Sequence, residues 1–227
     1  MTIPDWWRQP RRISVVVDNP SWILSYAEEL VATLQVGGDD AVLCRCHDDI
    51  SPGAIAFYLG CIHITPVDVL LRNKRNLVVH ESDLPKGRGF SPLSWQVLEG
   101  RNEIPVCLLE AVDGPVDSGP IIYRDVIKLS GHELIAESRA LQADVTLRLC
   151  KRFLKETLPL AGEDQSGTLT TYRRRRPADS ELALDKTLGE QFNLMRIVDN
   201  QNYPAFFVFA GQRYIVRIEK DRETSHK

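Results

Sequence analysis

Strand-like and helix-like segments alternate between residues 13 and 129, and that alternation restricts the fold more than any other feature. ISVVVDN (13–19) is a β-branched run ending in Asp-Asn-Pro, which reads as a buried strand and a turn. SWILSYAEELVATLQVGG (21–38) has apolar residues at 23, 24, 27, 30, 31 and 34, the spacing of one helix face, and stops at Gly37-Gly38. DAVLCRC (40–46) is a second strand. SPGAIAFYLGC (51–61) opens with Ser51 as an N-cap and Pro52 in the first turn, which predicts a short helix. CIHIT (61–65) reads as a strand, VDVLLR (67–72) as a short helix and NLVVH (76–80) as the next strand.

Beyond a Pro- and Gly-rich turn, SPLSWQVLEG (91–100) reads as a helix opened by Ser91-Pro92 and closed by Gly100. IPVCLLEAV (104–112) and IIYRDVIKL (121–129) are strands, and residues 131–158 form the longest amphipathic helix. The expected class is α/β: a Rossmann-like, doubly wound, mostly parallel sheet over residues 1–160. AGEDQSGT (161–168) is a linker. From Thr170 the character changes to four consecutive arginines, a helix-prone stretch (187–198) and a β-hairpin (203–218) turning at Ala210-Gly211. Residues 170–227 are therefore expected to form a small α+β subdomain.

Composition excludes several classes. At 43% hydrophobic and 26% charged, the 227 residues are ordinary for a soluble globular protein. A net charge of -3 supplies no global field toward nucleic acid or an anionic membrane. No apolar run approaches the roughly 20 residues that span a bilayer, and MTIPDWWRQPRR lacks the apolar core of a secretory signal. The five cysteines, Cys44, Cys46, Cys61, Cys107 and Cys150, fit neither a disulfide framework nor a finger-type metal site. They read as reduced thiols on buried strands, with the cytoplasm as the compartment and no metal.

In open α/β sheets ligands bind beyond the carboxyl ends of the strands. His80 ends a predicted strand there, followed by Glu81-Ser82-Asp83-Leu84-Pro85-Lys86-Gly87-Arg88-Gly89. Downstream, Asp117-Ser118-Gly119 sits in a Gly/Pro-bracketed loop. An Asp beside a His fixes the imidazole tautomer and supports a proton shuttle.

H-x-S-x-L-P, a turn into a helix, a strand and then V-D-S-G resembles, over residues 55–125, the formyltransferase family that uses N10-formyltetrahydrofolate. The C-terminal stretch from the arginine run to the hairpin resembles the region that follows the catalytic domain in sugar-acting members. V-V-H-E-S-D-L-P resembles a sugar N-formyltransferase branch associated with nonulosonic (pseudaminic-type) acid biosynthesis.

The resemblance implies an enzyme that moves a formyl group from folate to the amine of a nucleotide-linked amino sugar, of UDP-4-amino-4,6-dideoxy type. His80 would shuttle the proton, and Asp117 would orient the imidazole and favour its charged form. Ile62, His63, Ile64 and Thr65 would line the folate pocket, with the His63 imidazole, like that of His132, structural. Val112, Asp113, Gly114, Pro115 and Val116 would meet the pterin. The sugar nucleotide would lie across Ser82, Pro85, Gly87 and the rest of that turn; Lys86 and Arg88 read either as diphosphate contacts or as solvated turn charges, and Tyr203, Phe206 and Phe207 either as aromatics that stack on the base or as core or interface residues. Arg173–Arg176 reads either as a nucleotide contact or as a solvated edge. Trp6 and Trp7 would cover an apolar surface or a partner subunit, Trp22 would pack the first helix, and Trp95 would pack the core or shape the sugar pocket.

One family residue is missing. The family's catalytic Asn lies two residues before the His, where this chain has Val78. Losing one oxyanion donor typically costs about 100- to 1000-fold in rate. Asn76 shares the strand face but lies roughly 13 Å from His80 at about 3.3 Å per residue. The backbone after Asp117, Ser82 or a charged His80 are the candidate replacements. Rival readings are a methionyl-tRNA formyltransferase, a glycinamide ribonucleotide formyltransferase and a catalytically silent binding homologue. The negative charge and small C-terminal region argue against tRNA. The apolar hairpin makes a homodimer plausible.

Overall fold

The computed structural model describes residues 2–221; residues 1 and 222–227, at the ends of the two expected units, lie outside the described residues. In chain order the elements are β1 (Arg12–Val16), α1 (Leu24–Val36), β2 (Asp40–Cys44), β3 (Gly53–Tyr58), α2 (Val67–Leu70) and β4 (Asn73–His80). They continue with β5 (Arg88–Gly89), α3 (Pro92–Leu98), β6 (Glu103–Glu110), β7 (Ile121–Lys128) and α4 (Ile135–Leu154). The chain ends in β8 (Thr171–Tyr172), α5 (Phe192–Ile197), β9 (Ala205–Phe209) and β10 (Gln212–Val216).

Six strands form one sheet in the order β2-β1-β3-β4-β6-β7. β1, β2, β3 and β4 pair in parallel, while β6 is antiparallel to both β4 and β7. Only β6 opposes the common direction, so the sheet is mostly parallel, as the alternation predicts. The chain leaves β1 toward β2 and then returns to β3 on the other side of β1. That reversal opens a crevice beyond the ends of β1 and β3.

The helices cover one face. Ala27 and Leu30 of α1, Val97 of α3, and Leu149 and Phe153 of α4 pack with Ile13, Val15, Ile55, Phe57 and Leu77 in one core cluster. Each fully buried Val, Leu, Ile or Phe side chain contributes about 1.5–3 kcal/mol. The other face is thinner: Val16, Ala56 and Tyr58 meet Ile50 and Val69 of α2. The sheet is therefore wound with real helices on one side and short segments on the other.

Two expectations fail between β2 and β4. Residues 53–58, predicted as part of a helix, form β3 at the sheet centre. Ala54 through Leu59 are all buried. Consecutive apolar residues buried on both faces are what an interior parallel strand needs, and this overrides the Ser-Pro start signal. CIHIT, predicted as a strand, is a loop. Ile64 is exposed, and the Ile62 and His63 N–H groups bond Asp18 instead of a neighbouring strand.

The thiols also differ from expectation: Cys44, Cys107 and Cys150 are buried, but Cys150 is on α4, Cys46 is exposed and Cys61 lies in the 61–65 loop. Trp7 is buried edge-on against Phe153 at 5.3 Å, and its Nε1 donates to Glu156 O. It is core, not a partner contact.

The stretch after α4 packs on the main unit. β8 pairs in parallel with β5. Arg196, buried, donates to Glu133 Oε2 at 3.0 Å, and Ile197 joins the main core. Leu182, Met195, Val198 and Ala205 form a separate small cluster. The β9–β10 hairpin turns through Ala210 (φ 48°) and Gly211 (φ 76°), the two positive values of a tight hairpin turn. No helix among the described residues is long and apolar enough to cross a membrane.

Candidate active site

His80 is the last residue of β4 and is 5% exposed. Its Nε2 lies 2.8 Å from Gly87 O, and its Nδ1 lies 3.5 Å from Asp117 Oδ2. A carbonyl only accepts, so Nε2 carries a hydrogen and donates to it. Nδ1 is the nitrogen that faces the carboxylate.

The turn after His80 is a cradle for this ring. Gly87 N donates to Thr170 Oγ1 at 2.8 Å, and Gly89 N donates to Asp117 Oδ2 at 2.9 Å. Gly89 has φ 102°, and a Cβ there would collide with the Tyr172 carbonyl of β8. Glycine at 89 thus lets the turn reach both β8 and Asp117. Asp117 itself holds φ 56°, an uncommon backbone value of the kind that concentrates at functional sites. Gln165 Nε2 donates to Asp117 O at 2.7 Å and to Gly119 O at 2.8 Å, which fixes that loop.

A cavity of about 1160 Å³ opens over the carboxyl ends of β1, β3 and β4. Single drug-sized ligands occupy roughly 300–1000 Å³, so this space suits two substrates together. His80 and Asp117 line it. So do Ile62, His63, Ile64 and Thr65, together with Val112, Gly114, Pro115, Val116 and Tyr203. Asp113, Ser82, Pro85, Lys86, Gly87 and Arg88 do not. Lys86 is exposed, and the Arg88 guanidinium donates to Gln165 Oε1 at 2.6 Å. The Ser82 hydroxyl is buried without a partner among the described residues. The turn supports His80 more than it walls the cavity. Phe206 is buried, and Phe207 stacks on Tyr214 at 5.3 Å, which leaves Tyr203 as the available aromatic. Trp95 stacks on Tyr172 and lies outside the walls.

Several residues on the wall or just behind it carry no motif. Asp18, just past β1, accepts the N–H groups of Ile62 and His63, both at 2.9 Å, and meets His63 Nδ1 at 3.0 Å. Burial alone would raise its carboxyl, but these bonds and one from Asn19 hold it below its usual range. The signal was the Asp-Asn-Pro turn at the sheet's reversal point.

On the opposite wall, Arg139 of α4 pairs with Asp199 at 2.8 Å and lies over the Trp22 ring. Burial opposes charge on Asp199, yet Arg139 and the Asn202 and Gln201 N–H groups lower its carboxyl to about 2. Glu81 accepts from Gln142 Nε2 at 2.7 Å. Burial pushes its carboxyl up, opposed by the charge of His80 and by Gln142.

The place of the missing donor is apolar. Val78 lies beside Tyr58 of β3 in the sheet register and lines the cavity. Asn76 is locked, donating from Nδ2 to Leu70 O at 2.8 Å and accepting the Tyr58 hydroxyl at 3.2 Å. Burial raises the Tyr58 hydroxyl to about 12. The amide after Asp117, Ser118 N, donates to Pro115 O at 3.2 Å. Among the described residues no group of three or more His, Cys, Asp or Glu is placed to hold a metal ion.

No protein-family model matches the chain. Solved structures do. A methionyl-tRNA formyltransferase from Clostridium thermocellum superposes with a TM-score of 0.73 at 22% identity, over 94% of each chain. HypX from Aquifex aeolicus in complex with tetrahydrofolic acid gives 0.72 at 13% identity, over 92% of this chain and 38% of that one. A sugar N-formyltransferase from a Shewanella species gives 0.65 at 14% identity, over 92% of this chain and 98% of that one. The chain has the formyltransferase fold.

Proposed function

We propose that the protein transfers the formyl group of N10-formyltetrahydrofolate to the amine of a nucleotide-linked amino sugar, of UDP-4-amino-4,6-dideoxy type, in a pseudaminic-type pathway. One observation carries the reading. In a fold shared with formyltransferases, the His80 and Asp117 side chains meet at 3.5 Å on the wall of a cavity roomy enough for two substrates. A tetrahydrofolate-bound structure among the similar folds supports folate as the co-substrate.

The neutral amine attacks the formyl carbon, and a C–N bond forms as the carbonyl oxygen takes the negative charge. His80 Nδ1 accepts the proton of the attacking nitrogen and delivers it to folate N10. The N10–C bond then breaks, and tetrahydrofolate leaves with that proton. Asp117 keeps Nδ1 directed at this path. With Val78 apolar, Asn76 locked and the Ser82 hydroxyl buried, the Nδ1–H of the charged imidazole, shared with Asp117, is the side-chain donor that this segment offers the oxyanion. Ile62–Thr65 with Val112, Gly114, Pro115 and Val116 hold the folate, and Tyr203 the acceptor base.

The test is to mix the protein with N10-formyltetrahydrofolate and a panel of UDP- and dTDP-linked amino sugars, then weigh the products. A gain of one formyl group on an amino sugar is expected. Formylation of methionyl-tRNA or glycinamide ribonucleotide instead would reassign the acceptor. Folate binding with no turnover on any amine would mark a silent homologue. The exposed Val208, Phe209, Tyr214 and Ile215 of the hairpin support a homodimer, which light scattering of Ile215→Glu against the parent tests.

A further inference from the structure

A second cavity of about 230 Å³ adjoins the large one, and Glu81, Arg139, Gln142, Arg174 and Tyr203 belong to both walls. Its outer wall is Arg174, Arg175 and Arg176. Of the arginine run, only Arg173 is paired with a carboxylate among the described residues: both Asp179 oxygens accept from it, at 2.7 and 2.6 Å. Arg139 is neutralised by Asp199. Arg174 lies over the Phe90 ring at 5.3 Å, on the side facing the large cavity. Arg175 is half-buried, its Nη2 donates to Asp179 O at 3.1 Å, and its Nε is buried with no acceptor among the described residues. Burial opposes its ionised form, as does the neighbouring Arg173 charge, while the Asp179 carboxylate supports it.

Among the described residues, two guanidinium groups with no carboxylate partner, beside a third that has an orphaned N–H and only a shared Asp179, are an unusual arrangement for a chain of net charge -3. Guanidinium forks match phosphate oxygens in pairs. We propose that this side cavity binds a diphosphate group of the acceptor, held by Arg174, Arg175 and Arg176. The inference rests on the reading of the large cavity as an amine acceptor's site, and it gives the acceptor's position. The diphosphate sits in the side cavity, the Glu81 carboxylate stands at the junction, and the amine reaches toward His80. Lys86 and Arg88, the basic residues of the turn, line neither cavity.

Equilibrium binding of inorganic pyrophosphate, UDP and uridine to the full chain tests this, with tetrahydrofolate binding measured on the same samples. Pyrophosphate and UDP are expected to bind and uridine to bind far more weakly. The exposed variants Arg174→Gln and Arg176→Gln fold without difficulty and should each weaken pyrophosphate roughly tenfold or more, the loss of a charge-assisted bond. Arg175→Gln should do the same, and Lys86→Gln should change nothing. Uridine binding as tightly as UDP, absent pyrophosphate binding, or unchanged affinity in both exposed variants overturns the proposal. If tetrahydrofolate still binds in that event, the formyl-transfer reading stands without it; if tetrahydrofolate fails to bind, it is that reading that falls.

Discussion

Asp117 Oδ2 stands 3.5 Å from His80 Nδ1 and accepts the Gly89 N–H at 2.9 Å, so one carboxylate oxygen serves the imidazole and the turn that cradles it. The two roles separate by substitution. Asp117→Asn keeps an oxygen for Gly89 N and removes the charge facing Nδ1. Turnover should fall by about 100- to 10,000-fold, the usual range for lost acid–base assistance, while the melting temperature stays near the parent's. His80→Ala should abolish turnover. Steady-state rates beside a thermal melt check both, and a His80→Ala enzyme that still turns over refutes the shuttle.

The Asp18 carboxylate anchors the loop expected to meet folate. Asp18→Ala frees the Ile62 and His63 N–H groups. Hydrogen bonds to a charged group contribute about 1.5–3 kcal/mol each, so tetrahydrofolate affinity should fall at least tenfold while the rate at saturation changes less. Fluorescence titration reads this directly. Unchanged affinity would mean that the loop keeps its shape without its anchor.

The sequence exposed the sheet and the position of His80 well, because long apolar runs and Gly/Pro turns are local signals. It misread β3 because Ser51-Pro52 is a local start signal, whereas the burial of Ala54–Leu59 on both faces depends on β1 and β4 lying alongside. CIHIT failed for the same reason in reverse: its composition suits a strand, but no neighbour among the described residues pairs with it. At the site, the His80–Asp117 pair was legible through the resemblance. Asp18, Glu81 and the Arg139–Asp199 pair were not, since each acts through partners distant in sequence. Lys86 and Arg88 looked like ligands on charge alone, and only the path of the turn takes them away from the cavities.

Acid should loosen the contact between α4's N-terminal approach and the C-terminal stretch. Burial would raise the Glu133 carboxyl, but the Ser130 and Gly131 N–H groups lower it to about 2 from 4.5, and Arg196 is bonded to it. A depressed folded pKa means that the unfolded chain binds the proton more readily, so stability rises with pH through this window. The contribution is present above about 4.5 and disappears as pH falls through about 2. Urea midpoints measured from pH 6 down to 2 should fall less steeply in Glu133→Gln than in the parent. Parallel curves would assign the acid sensitivity to Asp179 and Asp199, which are lowered to about 2 as well.

The stability of the sheet's edge depends on a buried pair. Arg11 donates from Nε and Nη2 to the Asp39 oxygens at 2.9 and 2.7 Å, and from Nη1 to Leu154 O at 2.9 Å. It thus joins the starts of β1 and β2 to the end of α4. Both side chains are almost completely out of solvent, so neither charge is tolerated alone. Asp39→Ala should cost about 3–5 kcal/mol, the penalty for leaving one buried ion unpaired. Removing both charges with Arg11→Met and Asp39→Leu should cost less than that single change, because the lone buried charge disappears with its partner. Urea unfolding at neutral pH measures the difference as a shift in midpoint at constant slope. A double variant less stable than Asp39→Ala would mean that the bond to Leu154 O, not the charge pair, holds this corner together.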